Sequence, residues 1–296
     1  MSSSMHGMRP MKDSTILITG ATDGLGRAVA HELASRGASV LLHGRSDDRL
    51  SETLNEIREA TGNDRLASYR ADFSSLQEVR RLAETVHSTQ ERLDLLINNA
   101  GIGGGTRHAH RQQSADGHEL RFAVNYLAPF LLTNLLLPLL RRSAPARIVN
   151  VASAGQTPID FDDVMLERNY DGWRAYQQSK LAQIMFTFEL AERLRAAGEE
   201  GVTVNALHPA TLMNTKMVTE SVGYTMSTIE DGVEATLHLA LSPELGEVTG
   251  AYFDRLQPAR ADDQAYDPQA RQRLWNLSEK LAGLGSSAPG ANSRPA

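Results

Sequence analysis

Tyr176-Gln177-Gln178-Ser179-Lys180 heads a helical pattern that runs to about residue 197 and sets a phenol and an ammonium four residues apart. On a helix such a pair projects from one face about a turn apart. A free tyrosine titrates near pKa 10, so roughly one molecule in a thousand carries phenolate at pH 7. A cation within about 4–6 Å lowers that pKa by roughly 1–3 units. Tyr176 beside Lys180 could therefore give or take a proton near neutrality. The same spacing is common on solvated helix faces, so its meaning depends on what the rest of the chain brings to it.

Several other stretches could serve such a proton donor. Thr19-Gly20-Ala21-Thr22-Asp23-Gly24-Leu25-Gly26 lies between a short apolar run and a helical pattern. Three glycines there let the backbone turn tightly, approach a pyrophosphate and aim helix N-terminal N–H groups at it. Gly20, Thr22, Gly24, Leu25 and Gly26 are the cofactor-binding candidates of this turn, although a tight turn alone would use the same glycines. The second apolar run ends in Gly44-Arg45-Ser46, with no acid before Asp47. A basic group at this point favours the 2′-phosphate of NADP, where a carboxylate would take the 2′-hydroxyl of NAD. Asp72-Phe73 follow the third run and could accept from an adenine amino group, though Asp is equally a routine helix N-terminal residue. Asn98-Asn99-Ala100-Gly101 close the fourth run and could line a cofactor. Ser153 closes the fifth, where its hydroxyl could hold a carbonyl oxygen. Asn125 sits inside a strongly apolar helical stretch. A buried amide must find partners or cost roughly 1–3 kcal/mol, so it should hold a water or bend the helix locally. His108, His110 and His118 fall within eleven residues but have no acidic ligand at a recognisable zinc spacing, so no metal site is expected.

Short apolar runs at 15–19, 39–43, 66–70, 93–97, 147–151, 202–207 and 251–253 read as buried strands. Helix-period segments near 25–36, 47–61, 75–90, 117–142, 173–197 and 231–240 separate them. This alternation predicts an α/β fold, a parallel sheet covered by helices on both faces. With no break in composition to mark a linker, one domain over residues 15–284 is expected, between disordered tails at 1–14 and 285–296. Thirty Lys and Arg against 36 Asp and Glu leave a net charge of −6 without a basic block, which argues against a nucleic-acid partner. The chain has no cysteine, which excludes disulfides, thiolate metal sites and cysteine nucleophiles. That fits a reducing compartment, and a cytoplasmic location is expected. The most apolar run, residues 127–140, is interrupted by Pro129, Asn134 and Pro138. It is too short to span a bilayer and reads as a buried helix, so no membrane insertion is expected.

Taken together, Thr19-Gly20-x-x-x-Gly24-x-Gly26, Asn98-Asn99-Ala100-Gly101, Asn125, Ser153 and Tyr176-x-x-x-Lys180 resemble the short-chain dehydrogenase/reductases over roughly residues 14 to 253. Arg45, Ser179-Lys180-Leu181-Ala182-Gln183, Gly250-Ala251-Tyr252-Phe253 and Arg273-Leu274-Trp275-Asn276-Leu277-Ser278 resemble the retinol dehydrogenase-like branch of that family. The resemblance implies a doubly wound Rossmann fold with a seven-stranded parallel sheet. It implies Tyr176 as proton donor and acceptor, and Lys180 as the residue that depresses its pKa and binds the nicotinamide ribose. Ser153 would orient the substrate carbonyl, and Asn125 would support a water-linked proton relay.

Two departures from the family pattern bear on the cofactor. After the sixth strand the sequence reads His208-Pro209-Ala210-Thr211-Leu212-Met213-Asn214-Thr215, with Ala210 in place of a glycine, so Thr211 and Thr215 are both candidates for the nicotinamide amide. Asp23 stands in the glycine-rich turn, where NADP-preferring relatives often carry a basic residue. The expected activity is an NADP(H)-dependent alcohol dehydrogenase or carbonyl reductase, with residues 155–174 and 211–226 as walls for a hydrophobic substrate. A non-catalytic nucleotide sensor or scaffold on the same fold is the alternative. By analogy, a homodimer or homotetramer through the helices bearing Asn125 and Tyr176 is expected.

Overall fold

The computed structural model describes residues 9–106 and 109–284. Seven parallel strands, β1 (Thr15–Ile18), β2 (Ser39–Gly44), β3 (Leu66–Arg70), β4 (Leu95–Asn98), β5 (Ala146–Val151), β6 (Val202–His208) and β7 (Tyr252–Asp254), form one sheet. Their order is β3-β2-β1-β4-β5-β6-β7. An eighth strand, β8 (Gln257–Pro258), extends the expected seven as an antiparallel partner of β7. Two residues carry no apolar pattern of their own, which is why the sequence does not announce it. The order in which successive strands are added reverses between β1 and β4, and ligands of such sheets bind outside the strand C-termini at that crevice.

Eight helices flank the sheet: α1 (Gly24–Ser35), α2 (Asp47–Thr61), α3 (Leu76–Thr89), α4 (Ala128–Arg142), α5 (Gly172–Ala196), α6 (Lys216–Ser221), α7 (Ile229–Leu241) and α8 (Pro268–Ala282). Side chains alternate across each strand. Ile16 and Ile18 of β1 therefore join the core under α1, α2 and α7, while Leu17 joins the core under α3, α4, α5 and α8. The helical stretch expected as one element at 117–142 is two. A π-helical turn, Phe122–Leu127, precedes α4 and contains Asn125. The combined span Phe122–Arg142 is 21 residues, long and apolar enough to cross a membrane by length and composition, which corrects the reading of this run as too short. Inside the fold 78% of its most apolar window is buried.

Helix α8 has no counterpart in the sequence reading because charges interrupt its apolar stripe. Its boundaries are nevertheless written in the chain. Asp267 caps the N-terminus ahead of Pro268, and Gly283 closes the C-terminus with φ of +62°. The helix lies over α4 and α5. Trp275 packs against Phe130 at 5.1 Å and Phe186 at 5.9 Å between ring centroids, Arg193 covers the indole at 4.1 Å, and Tyr126 bonds Ser278 at 2.6 Å. Part of the apolar surface of α4 and α5 is thus covered by the chain itself. At the other end, residues 11–14 of the stretch expected as a tail are structured. Met11–Asp13 forms a 3-10 turn, Arg65 bonds the Lys12 carbonyl, and Ser14 is buried. Residues 1–8 and 285–296 and His108 lie outside the described residues.

Candidate active site

The turn after β1 is shaped by what its glycines exclude. Gly20 and Gly24 take left-handed φ of +67° and +49°, and a Cβ on Gly20 would stand 2.9 Å from the Ala100 backbone. On Gly26 a Cβ would run into the Gly20 carbonyl and the Asn99 amide. The turn is stapled to the end of β4. Asn99 donates to the Thr19 and Gly20 carbonyls at 2.9 and 3.2 Å, and the Asn99 and Ala100 N–H groups donate to Thr19 Oγ1. Asn99 therefore acts by holding the turn, with its amide facing the backbone. Leu25 is buried under α1, while Thr22 packs against the end of β2, where a Cβ on Gly44 would meet its methyl at 2.7 Å.

Asp23 caps α1 by accepting from the Gly24 N–H at 2.8 Å and pairs with Arg49 at 3.0 Å. Burial pushes its pKa up, but the bonds from Arg49 and Gly24 hold it below the ordinary carboxylate value. The acid in the turn is thus faced by a cation. Arg45 is exposed and makes no ion pair among the described residues. Asp72 fits the bland reading more closely. Its carboxylate accepts from the Ser74 N–H at 2.8 Å, shaping the entry to α3. Phe73 is buried and stacks on His43 at 4.3 Å, so its ring supports the strand end and does not present a face to a nucleotide. Thr211 is exposed and bonded to His208 at 3.0 Å, whereas Thr215 reaches the glycine turn, its methyl 3.2 Å from where a Gly24 Cβ would stand.

The chemistry gathers at the end of β5 and the start of α5. Asp171 caps α5 and starts the helix that carries Tyr176 and Lys180. Trp173 meets the Tyr176 ring edge-on at 5.8 Å. Ser153 Oγ accepts from the Gly155 N–H at 3.1 Å, which leaves its proton to be donated, and its carbonyl is held by Tyr252 and Gln156 at 3.1 and 3.0 Å. The Tyr176 hydroxyl faces Ser153. Burial raises the Tyr176 pKa above 10, and the hydrogen bond with Ser153 opposes that rise. Lys180 is 5% exposed and donates to Val151 O at 2.8 Å and Gln183 Oε1 at 2.9 Å. Burial lowers its pKa to about 7. The expected depression of the Tyr176 pKa by Lys180 is therefore absent in the protein alone. Nζ stands 5.8 Å from the centre of the phenol ring, and burial acts on both groups toward neutrality.

Asn125 occupies the π-helical turn, as a helix-bending amide should. Its Oδ1 accepts from the Ile102 N–H at 2.8 Å, while Nδ2 donates to Ile102 O and Ser179 Oγ at 3.0 Å each. It ties the residue after Gly101 to α5, and Gly101 in turn lies close to Lys180, with Nζ 3.7 Å from its virtual Cβ. The rest of that glycine loop is fixed by a residue the sequence did not single out. Arg121, buried beside Glu119 at 3.6 Å, donates to Gly103 O and Gly104 O and to Tyr170.

The sequence matches the short chain dehydrogenase family over residues 14–223. The chain belongs to the short-chain dehydrogenase/reductase family and is an NAD(P)-dependent oxidoreductase of the alcohol dehydrogenase and carbonyl reductase kind. Within the family it is retinol dehydrogenase-like: mouse retinol dehydrogenase 13 is 38% identical over 287 residues, covering 91% of this chain and 84% of that protein. A solved structure of an uncharacterized protein from Mycobacterium paratuberculosis has TM-score 0.77 and 31% identity, covering 96% of this chain and 98% of that one. A Shigella flexneri short chain dehydrogenase complexed with NADP has TM-score 0.67 and 27% identity, covering 83% and 98%.

Proposed function

We propose that the protein interconverts a hydrophobic alcohol and its ketone or aldehyde with NADP(H), using Tyr176 as the acid and base. The observation that carries this reading is that the Tyr176 hydroxyl faces Ser153 at the end of β5, with Lys180 buried one helical turn further along α5. In the reducing direction the Ser153 hydroxyl holds the substrate oxygen, and Tyr176 O–H delivers its proton to the alkoxide as it forms. In the oxidising direction Tyr176 takes that proton back. A nicotinamide would supply or accept the hydride.

The residues present fit such a cofactor. Gly20 and Gly26 have no room for a Cβ, and the turn they shape leads straight into the N-terminus of α1, a ready anion site. Arg45 is free to meet a 2′-phosphate, and Asp23 is engaged with Arg49. The NADP named with the Shigella relative supports the same preference. Trp173 beside Tyr176, and the exposed Met217, Tyr224 and Met226 in the facing segment, support an apolar substrate. The test is NADPH and NADH consumption across aldehydes, ketones and quinones, repeated with Tyr176→Phe. A loss of roughly 100-fold or more in kcat is expected, the scale of a positioned acid. Turnover unchanged by the substitution overturns the assignment, and tight NADP binding without turnover on any carbonyl points to the scaffold alternative.

A further inference from the structure

His43, at the end of β2, is used by none of the roles above. Its ring is 3% exposed and lies between three parts of the cofactor cradle. On one side Nδ1 faces the Gly20 N–H at 3.2 Å, while the His43 carbonyl accepts from the Ala21 N–H at 2.8 Å. Two successive amides of the glycine turn therefore end on one residue. On the other side Nε2 meets the Ala71 carbonyl at 3.0 Å, and the ring stacks on Phe73 with 22° between planes. Burial drives its pKa down to about 4, against the opposing pull of the Ala71 bond and of Asp72. The ring is therefore neutral at pH 7. Because Nδ1 must accept from an N–H, the proton is on Nε2, the tautomer that can donate to Ala71 O.

We propose that His43 is a positioning residue for the cofactor, a strut that fixes the first glycine of the turn to the ends of β2 and β3. The inference rests on the reading of the turn as the NADP site. Gly20 must hold a left-handed φ with its carbonyl close to α1, and a turn N–H left without a partner would let the peptide rotate away from that geometry. Arg45 follows two residues later on the same strand end, so the strut sets the turn and the 2′-phosphate arginine in one frame. The Asp72 side, through Ala71 and Phe73, is fixed to it as well.

Two near-isosteric variants separate the two bonds. In His43→Asn the amide reaches the position of Nδ1 and keeps an acceptor for Gly20. In His43→Gln the amide reaches the position of Nε2 and keeps the donor to Ala71 but leaves Gly20 unpaired. NADP affinity by isothermal calorimetry and Gly20 amide exchange in the cofactor-free protein are measured for both, with kcat at saturating NADPH. The expected result is near-wild-type affinity for the Asn variant and an affinity about five- to tenfold weaker for Gln, with fast Gly20 exchange in Gln alone and kcat unchanged in both. Equal affinity in all three proteins, or equal weakening in both variants, overturns the inference while leaving the cofactor site standing. A wild-type protein that binds neither NADP nor NAD overturns the cofactor reading, and the strut with it.

Discussion

Replacing Lys180 by Met and varying pH isolates the energetic cost of the site. The Lys180 ammonium is buried among neutral acceptors, Val151 O and Gln183 Oε1, and its pKa falls to about 7 from an ordinary value near 10.5. Between those values the unfolded chain binds a proton that the folded protein does not, so stability is lost as pH falls and regained as pH rises through the window from about 7 to 10.5. At roughly 1.36 kcal/mol per pKa unit, the lysine costs the fold roughly 4 kcal/mol at pH 7 and roughly 2 kcal/mol at pH 9. The Met variant lacks this dependence and keeps every other titrating group. Urea unfolding of both cofactor-free proteins at pH 7 and pH 9 should therefore show wild type gaining roughly 2 kcal/mol on the variant over that interval. The absolute difference at one pH is less informative, because Met leaves two buried acceptors unpaired at roughly 1–3 kcal/mol each. If the difference between the two proteins stays constant within about 0.5 kcal/mol, Lys180 titrates as an ordinary lysine and the reasoning fails.

Two other substitutions probe the two ends of the molecule. Arg45→Ala removes a cation from the strand end without disturbing a partner, so KM for NADPH should rise roughly 10- to 100-fold with KM for NADH unchanged, as steady-state kinetics with both cofactors would show. Trp275→Ala empties the space between Phe130, Phe186 and Arg193 and should cost about 3–5 kcal/mol by denaturant unfolding.

The parts of this molecule that were legible in the sequence are those whose physics is local. Seven strands appear as short apolar runs, the glycine turn and Ser153 fall at the edges where two of those runs end, and Tyr176-x-x-x-Lys180 heads a helical pattern. Asn125 was marked as an amide that must hold a water or bend the helix, and it sits in a π-helical turn bonded to Ile102 and Ser179. What stayed hidden depends on long-range contact. His43 looks like one more residue of a buried strand until the turn at Gly20 and the carbonyl of Ala71 are brought to it. Phe73 and Thr211 carried plausible spacing, but their side chains are committed to His43 and His208, and Thr215 took the place beside the turn. Arg121 holds a glycine loop through backbone carbonyls, and nothing in residue type or spacing marks it. Helix α8 is written in its caps, Asp267-Pro268 and Gly283, and not in its periodicity, because charges interrupt its apolar stripe.

Spacing and burial give opposite answers for the central pair. Four residues on a helix predict a cation lowering a phenol's pKa, a statement about charge and distance alone. In the fold, Lys180 turns its ammonium toward Val151 and Gln183, and the same apolar packing that excludes water raises the Tyr176 pKa and lowers that of Lys180. The protein by itself therefore keeps Tyr176 protonated, which suits the proton-donor role proposed for it. Under that proposal a charged Lys180 would favour the reverse, proton-accepting role, and a lysine with a pKa about 7 is near the point where small changes in its surroundings alter its charge. The helix fixes which two groups work together. Their burial fixes which of them carries the proton.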